Sequence, residues 1–128
     1  YARAESEPPA YLGETAEVDH SVVTRGSEVE GAVRNSVLSQ RCTVAEGAEV
    51  EYSILMPGAV VECGARVAYA ILGENVRVGE NARVGASPEA APPEEWGITV
   101  VGPEAQVEAG RTLKANRMLN REGKETVR

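Results

Sequence analysis

The chain has 128 residues, the length of one domain, with a formal net charge of −7, no Phe and a single Trp. Such an acidic chain lacks the clustered Lys and Arg that sequence-independent binding to nucleic acid or to an anionic membrane requires. Its core must be narrow and built from Val, Leu, Ile and Ala.

Residues 1–7 read as the end of another unit. Pro8 and Pro9 follow, and two consecutive prolines fix an extended backbone and forbid a helix. Residues 1–10 are therefore expected to be a stiff linker. A first coil is expected from Leu12, with Val18, Val23 and Val29 as its apolar column. The step from Val29 to Val33 is then shortened to four residues. From Val33, branched aliphatics recur at Leu38, Val44, Val50, Leu55, Val61, Val67, Leu72, Val78 and Val84, in steps of 5, 6 and 6 residues repeated three times. The five-residue steps also resemble one another: residues 33–38 (VRNSVL), 50–55 (VEYSIL) and 67–72 (VAYAIL). A self-similar period of 17 residues is the signature of a solenoid.

A second column carries small or modest side chains four residues into the longer steps: Ala16, Ser27, Cys42, Ala48, Ala59, Ala65, Val76, Ala82 and Ala105. These are expected to face inward. One position earlier stand Gly26, Gly47, Gly58, Gly64, Asn75, Asn81 and Gly110, the residue types that adopt positive φ at least cost. That column predicts a corner in each step, with Thr15, Arg41 and Glu104 as departures. Corners every five or six residues and three sides per turn describe a triangular parallel β-helix, and helical periodicity is not sustained. Cys42 is expected in the core and Cys63 at a corner, both reduced, because they form no metal-type pair.

After Val84 the repeat stops and a loop is expected over residues 85–97, containing Pro88, Pro92, Pro93 and Trp96. It is either a surface excursion with Trp96 folded back on an apolar side, or a docking element with Trp96 as its aromatic anchor. The repeat resumes through Val101, Val107 and Leu113. The β-helix is thus expected over residues 11–113, in about five coils. Residues 114–128, with five basic and two acidic side chains, are expected to cap the last coil or fray.

Candidate chemistry is sparse. The one histidine, His20, aligns with Asn35, Tyr52 and Tyr69 and reads as a stacked corner before it reads as a general base. The column Ser21, Ser36, Ser53 and Ala70 has no base beside it and reads as a structural hydroxyl ladder. Residues 73–75 and 79–81, both Gly-Glu-Asn, lack the glycine spacing, the Lys and the following helix of a phosphate loop, and read as turns. Arg66, Arg77 and Arg83 each precede an aliphatic ladder position and should point outward. They form either a solvated face that discourages aggregation or an anion-binding patch completed by another domain. Val22, Val37, Ile54 and Ile71 make an outward aliphatic stripe that could cover a dimer partner or a preceding domain. No catalytic, cofactor or metal residue is expected here. No apolar run reaches the length of a secretory or membrane-spanning segment, so the expected location is cytoplasmic.

The spacing resembles the hexapeptide repeats of single-stranded left-handed parallel β-helices, and the handedness comes from that resemblance alone. Residues 7–13 (EPPAYLG), 29–39 (VEGAVRNSVLS), 52–58 (YSILMPG) and 95–102 (EWGITVVG) further resemble the C-terminal part of bacterial ADP-glucose pyrophosphorylase, glucose-1-phosphate adenylyltransferase. The likeness covers about residues 1–113. It implies a parent enzyme that joins ATP and glucose 1-phosphate, with magnesium, to give ADP-glucose and pyrophosphate for glycogen biosynthesis. The chemistry, and the magnesium and ATP, would belong to a Rossmann-like N-terminal nucleotidyltransferase domain, leaving this segment non-catalytic and without a cofactor. The β-helix would pack on that domain, take part in a homo- or hetero-tetramer and help build a site for a sugar-phosphate effector. Arg66, Arg77, Arg83, Trp96, Ile54 and Ile71 are the candidate effector or interface residues. Arginines that contact activator in the family correspond here to Glu74 and Pro103, a departure from its pattern. Three alternatives stand beside this reading: a catalytically silent regulatory subunit, the β-helix of a GDP-mannose or dTDP-glucose type nucleotidyltransferase, and an independent acyltransferase or structural trimer. The single histidine counts against an acyltransferase, and the linker-like start against both forms of the last alternative.

Overall fold

A computed structural model describes residues 9–87 and 97–127, and all of its regular structure is β-strand. Steps of five or six residues leave room for only two or three extended residues between corners, so the strands are short. The first turn comprises β1 (Tyr11–Leu12), β2 (Glu17–Asp19) and β3 (Val22–Val23); the second, β4 (Glu28–Val29), β5 (Ala32–Arg34) and β6 (Val37–Leu38). The third comprises β7 (Thr43–Val44), β8 (Glu49–Glu51) and β9 (Ile54–Leu55); the fourth, β10 (Val60–Val61), β11 (Arg66–Ala68) and β12 (Ala70–Leu72). In the fifth are β13 (Arg77–Val78), β14 (Arg83–Val84) and β15 (Thr99–Val101), and in the sixth β16 (Gln106–Val107), β17 (Thr112–Leu113) and β18 (Arg117–Leu119).

Every third strand stacks in parallel on the one a turn earlier, giving three sheets. We call them A (β1, β4, β7, β10, β13, β16), B (β2, β5, β8, β11, β14, β17) and C (β3, β6, β9, β12, β15, β18). At a strand spacing of ~4.8 Å the six turns rise roughly 24 Å from first to last. The sequence reading expected about five. The sixth is completed by Leu119, six residues after Leu113, with Asn116 at the corner at φ 60°. Both signals were present in the sequence, but Arg117 replaces the small inward residue and hid them. The chain then reverses into β19 (Glu125–Val127), which pairs antiparallel with β18, and Glu125 meets Arg111 at 3.1 Å and Arg117 at 3.9 Å.

The core is a set of aliphatic columns in strict register. In sheet C, Leu38, Leu55, Leu72, Val101 and Leu119 stack inward; in sheet B, Val33, Val50, Val67, Val84 and Leu113 do so. All are buried. The small column behaves as expected, with Ser27, Cys42, Ala48, Ala59, Ala65, Val76, Ala82 and Ala105 buried and Ala16 packed against the core from the first turn. That first turn has no described residue beneath it, so Leu12 remains 53% and Val18 37% exposed.

Corners are held by hydrogen bonds between turns. Gly58 N donates to Gln40 O, Asn75 N to Pro57 O and Glu104 N to Glu74 O, at 2.8–3.0 Å. This linkage imposes positive φ on Arg41 (58°) and Glu104 (65°) as well as on the expected Gly and Asn residues, whereas Thr15 does not adopt it. A left-handed non-glycine residue costs roughly 1–3 kcal/mol, which the surrounding register must offset. A second left-handed column contains His20, Asn35, Tyr52 and Tyr69, at φ 48–51°. The shortened step at Gly31 passes so close to the carbonyls of Ala45 and Ala48 that a Cβ has no room there.

The serine column is a hydrogen-bond ladder. Ser36 N donates to Ser21 Oγ (3.1 Å), Ser53 N to Ser36 Oγ (3.1 Å) and Ala70 N to Ser53 Oγ (3.2 Å). Each hydroxyl in turn donates to the carbonyl two residues back: Asp19, Arg34 or Glu51. Above Ala70, Thr99 N instead donates to Tyr69 O at 3.1 Å, so no hydroxyl is needed at position 70.

The expected linker over residues 1–10 falls mostly, and Trp96 with the greater part of the 85–97 loop falls wholly, outside the described residues.

Two outcomes follow from this packing. Ser53→Ala strands the buried amide of Ala70 and should lower stability by about 1–3 kcal/mol, read as a reduced urea midpoint. Cys63 is exposed and Cys42 buried, with desolvation pushing the Cys42 thiol above its ordinary pKa. A neutral thiol reagent should therefore label Cys63 in the native chain and Cys42 only on unfolding. Above the ordinary thiol pKa the unfolded chain releases a proton that folded Cys42 keeps, so stability should fall at alkaline pH.

Candidate functional site

The corners carry little that could do chemistry. His20 is exposed, with Nδ1 2.7 Å from Asp19 Oδ1, and the neighbouring Ser21 hydroxyl is engaged by the Asp19 carbonyl. Among the described residues no group of three or more His, Cys, Asp or Glu side chains could hold a metal ion. Nor do the described residues contain a helix long and apolar enough to cross a membrane.

The faces are more informative, because outward residues recur in register from turn to turn, in one column on sheets A and C and in two on sheet B, where Glu49 and Glu51 flank inward Val50. On sheet C the outward partners run Val22, Val37, Ile54, Ile71, Val100 and Met118. The stripe read from the sequence therefore continues over all six turns. Val100 and Met118 were missed because the loop interrupts the period before them, yet each precedes an inward residue, Val101 or Leu119, just as Ile71 precedes Leu72. Ile54 and Met118 are 42% and 43% exposed, and Met56 is exposed nearby. At the adjoining corner the rings of Tyr52 and Tyr69 stack, with centroids 4.9 Å apart and planes 13° from parallel. A continuous apolar strip of this kind is unusual on a surface that faces only water.

Sheet B is charged. Arg34 lies 3.4 Å from Glu17 and 3.6 Å from Glu49, and Arg66 lies 3.1 Å from Glu49. Arg83 stands directly opposite Arg66 in the next turn. Arg77 belongs elsewhere: it lies on sheet A between Val60 and Gln106 and pairs with Glu62 at 3.5 Å. The structure thus brings Arg66 and Arg83 together and separates Arg77 from them. A groove of about 240 Å³ runs over sheet B, lined by Glu49, Glu51, Arg66 and Arg83, with Ala86 and Ser87 also lining it where the chain leaves the prism.

Glu74 and Pro103 lie at stacked corners, one passing from turn four to turn five and the other from turn five to turn six, where Glu104 N donates to Glu74 O at 2.8 Å and Asn75 Nδ2 donates to Glu104 Oε1 at 3.0 Å. With Glu74 and Glu104 both exposed, that corner is acidic and poorly suited to an anion.

The sequence model of a family described as "GlmU-like, C-terminal hexapeptide" matches residues 9–112. Curated relatives named glucose-1-phosphate adenylyltransferase include one from Desulfitobacterium hafniense, 36% identical over 82% of this chain and 26% of the relative. Another, from Acetivibrio thermocellus, is 38% identical over 88% of this chain and 28% of the relative. The chain spans about a quarter of the length of these relatives. Among solved structures, a perosamine N-acetyltransferase mutant from Caulobacter crescentus, in complex with CoA and GDP-perosamine, superposes with a TM-score of 0.53 at 16% identity. That match covers 94% of this chain and 55% of the other. The acetyltransferase domain of PglB from Neisseria gonorrhoeae gives 0.51, also at 16% identity, with the same coverage. At that identity the likeness is one of fold. With its six stacked turns and a match running from the first turn into the last, this chain belongs to the GlmU-like, C-terminal hexapeptide family.

Proposed function

We propose that this chain is the β-helix domain of a glucose-1-phosphate adenylyltransferase, and that it serves assembly and regulation while the adenylyl transfer takes place elsewhere in the polypeptide. The observation that carries the reading is the unbroken apolar row of sheet C, from Val22 to Met118, on a chain about a quarter as long as relatives of that name. The occupant of that row is the remainder of the same polypeptide, a nucleotidyltransferase domain that would bind ATP, magnesium and glucose 1-phosphate. Burying the row against that domain, with Tyr52 and Tyr69 beside it, gives the aromatic and aliphatic anchor typical of interface centres. The same polypeptide, with its two domains docked in this way, would take part in a tetramer. An independent acyltransferase is a weaker reading, because the one histidine stands on an exposed corner of the first turn, paired with Asp19.

The test is adenylyl transfer from ATP to glucose 1-phosphate by the complete gene product, beside this 128-residue chain. The complete protein should be active and the chain alone inactive. Placing Ile54→Lys together with Ile71→Lys in the complete protein puts two charges into the interface. It should undock the two domains, lower activity about tenfold or more and, through the displaced domain, change the assembly seen in light scattering. The same pair should leave the melting temperature of the isolated chain nearly unchanged, since both side chains point outward. Unaltered assembly and activity would remove sheet C from the docking role.

A further inference from the structure

Sheet B carries its charges in two halves. One outward column runs Glu17, Ala32, Glu49, Arg66, Arg83 and Thr112 in strict register. The other runs Asp19, Arg34, Glu51 and Ala68, and Gly85 and Lys114 extend it by one residue past β14 and β17. The lower three turns of this face thus hold four carboxylates and one guanidinium, and the upper three hold three cations and no carboxylate. A face that met only water would gain more from alternating charges along each column, because like charges opposite each other on neighbouring strands are destabilising. Instead Arg66 stands against Arg83. Among the described residues, the side chains of Glu51, Arg83 and Lys114 form no ion pair.

A face segregated in this way complements itself when turned end over end. We propose that sheet B is a two-fold contact between two copies of this chain, packed side by side with their prism axes antiparallel. A two-fold axis along the strand direction sets the first turn of one copy against the sixth of the other, the second against the fifth and the third against the fourth, and it keeps each column opposite itself. Glu49 then faces Arg66 and Asp19 faces Lys114, each twice by symmetry. Arg66 engages Glu49 Oε2 of its own chain through Nε, at 3.1 Å, which leaves the outer edge of its guanidinium for the carboxylate of the second copy.

Size matches as well as charge. Arg83 comes over Ala32, whose neighbours in register are Glu17 and Glu49, in the half of the face where carboxylates outnumber Arg34. Arg34 in turn comes over Gly85, and Glu51 over Ala68. The other two-fold arrangement, with the axes parallel, sets Glu17 against Asp19 and Glu49 against Glu51, and like charges disfavour it. At ~4.8 Å between strands and ~3.3 Å per residue the face measures roughly 24 by 10 Å. That is small beside the ~1,200 Å² of total surface that stable interfaces bury, so the contact is weak and salt-sensitive on its own. It deepens the assembly reading above by supplying one two-fold contact of the tetramer. Because it uses a different face from sheet C and is tested on this chain alone, its failure is distinct from a failure of the sheet C docking.

Sedimentation equilibrium of this chain should show a monomer–dimer equilibrium at on the order of 1 mM protein and ~10 mM salt, reversed at ~0.5 M salt. Arg66→Glu and Glu49→Arg should each keep a cooperative thermal melt and weaken association about tenfold or more. An equimolar mixture of those two variants should associate as the parent does, because the reversed positions face each other across the contact, and no change confined to one chain produces that rescue. In a Cys63→Ser background, Asp19→Cys mixed with Lys114→Cys should give a disulfide-linked dimer, whereas Asp19→Cys alone should not. The proposal is overturned if the parent chain stays monomeric, if the mixture associates no better than either variant, or if Asp19→Cys cross-links with itself rather than with Lys114→Cys.

Discussion

Each side chain in this core is stacked between the residue one turn above it and the residue one turn below, and the three columns meet in a single buried cluster. Leu55 is sealed by Leu38 and Leu72, Val67 by Val50 and Val84. The whole structure depends on that vertical register, because each turn buries its inward residues only against its neighbouring turns and itself. The register explains features that look costly in isolation. Tyr52 and Tyr69 accept a left-handed backbone because their amides donate to Arg34 O and Glu51 O in the turn before, and because the serine ladder runs alongside. Gly31 is required because the shortened step presses the backbone against the next turn, where any side chain would break the stack.

Repetition is also why so much could be read from the sequence. The inward aliphatics, the small second column, the Gly and Asn corners and the serine ladder all recur at fixed offsets, and a period of 17 residues puts them on named sides of the prism. What escaped the reading lies where the offset is masked. Leu119 and Asn116 sit in a basic stretch that disguises a sixth turn, and Val100 and Met118 follow an insertion. The left-handed corners at Tyr52 and Tyr69 run against residue preference, since only the stacked backbone imposes them. The grouping of the arginines was legible but not used. Arg66 and Arg83 are one period apart and must share a face, whereas Arg77 falls between them in the count and so belongs to another side.

The three sides of the prism carry three kinds of chemistry. Sheet C offers an aliphatic row, sheet B a row of charges, and sheet A a mixed one running Tyr11, Glu28, Thr43, Val60, Arg77 and Gln106. Because outward residues do not contribute to the core, each face can change without loss of the fold. A hexapeptide prism can therefore be fitted to different partners by altering its outward columns alone. This is also why a shared fold with acetyltransferases of 16% identity says little about activity.

The two ends of the prism differ, and the difference gives the molecule a direction of failure under load. At the far end, β19 closes the stack by running antiparallel to β18, locked by Glu125 against Arg111 and Arg117. At the near end, among the described residues, the first turn is held from one side only, with Leu12 53% and Val18 37% exposed. Tension applied along the axis would peel turns from the near end in sequence, each regular 17-residue coil releasing roughly 50–60 Å of contour. The prism is in that sense a stack of nearly equal mechanical links, wound to come apart from one end.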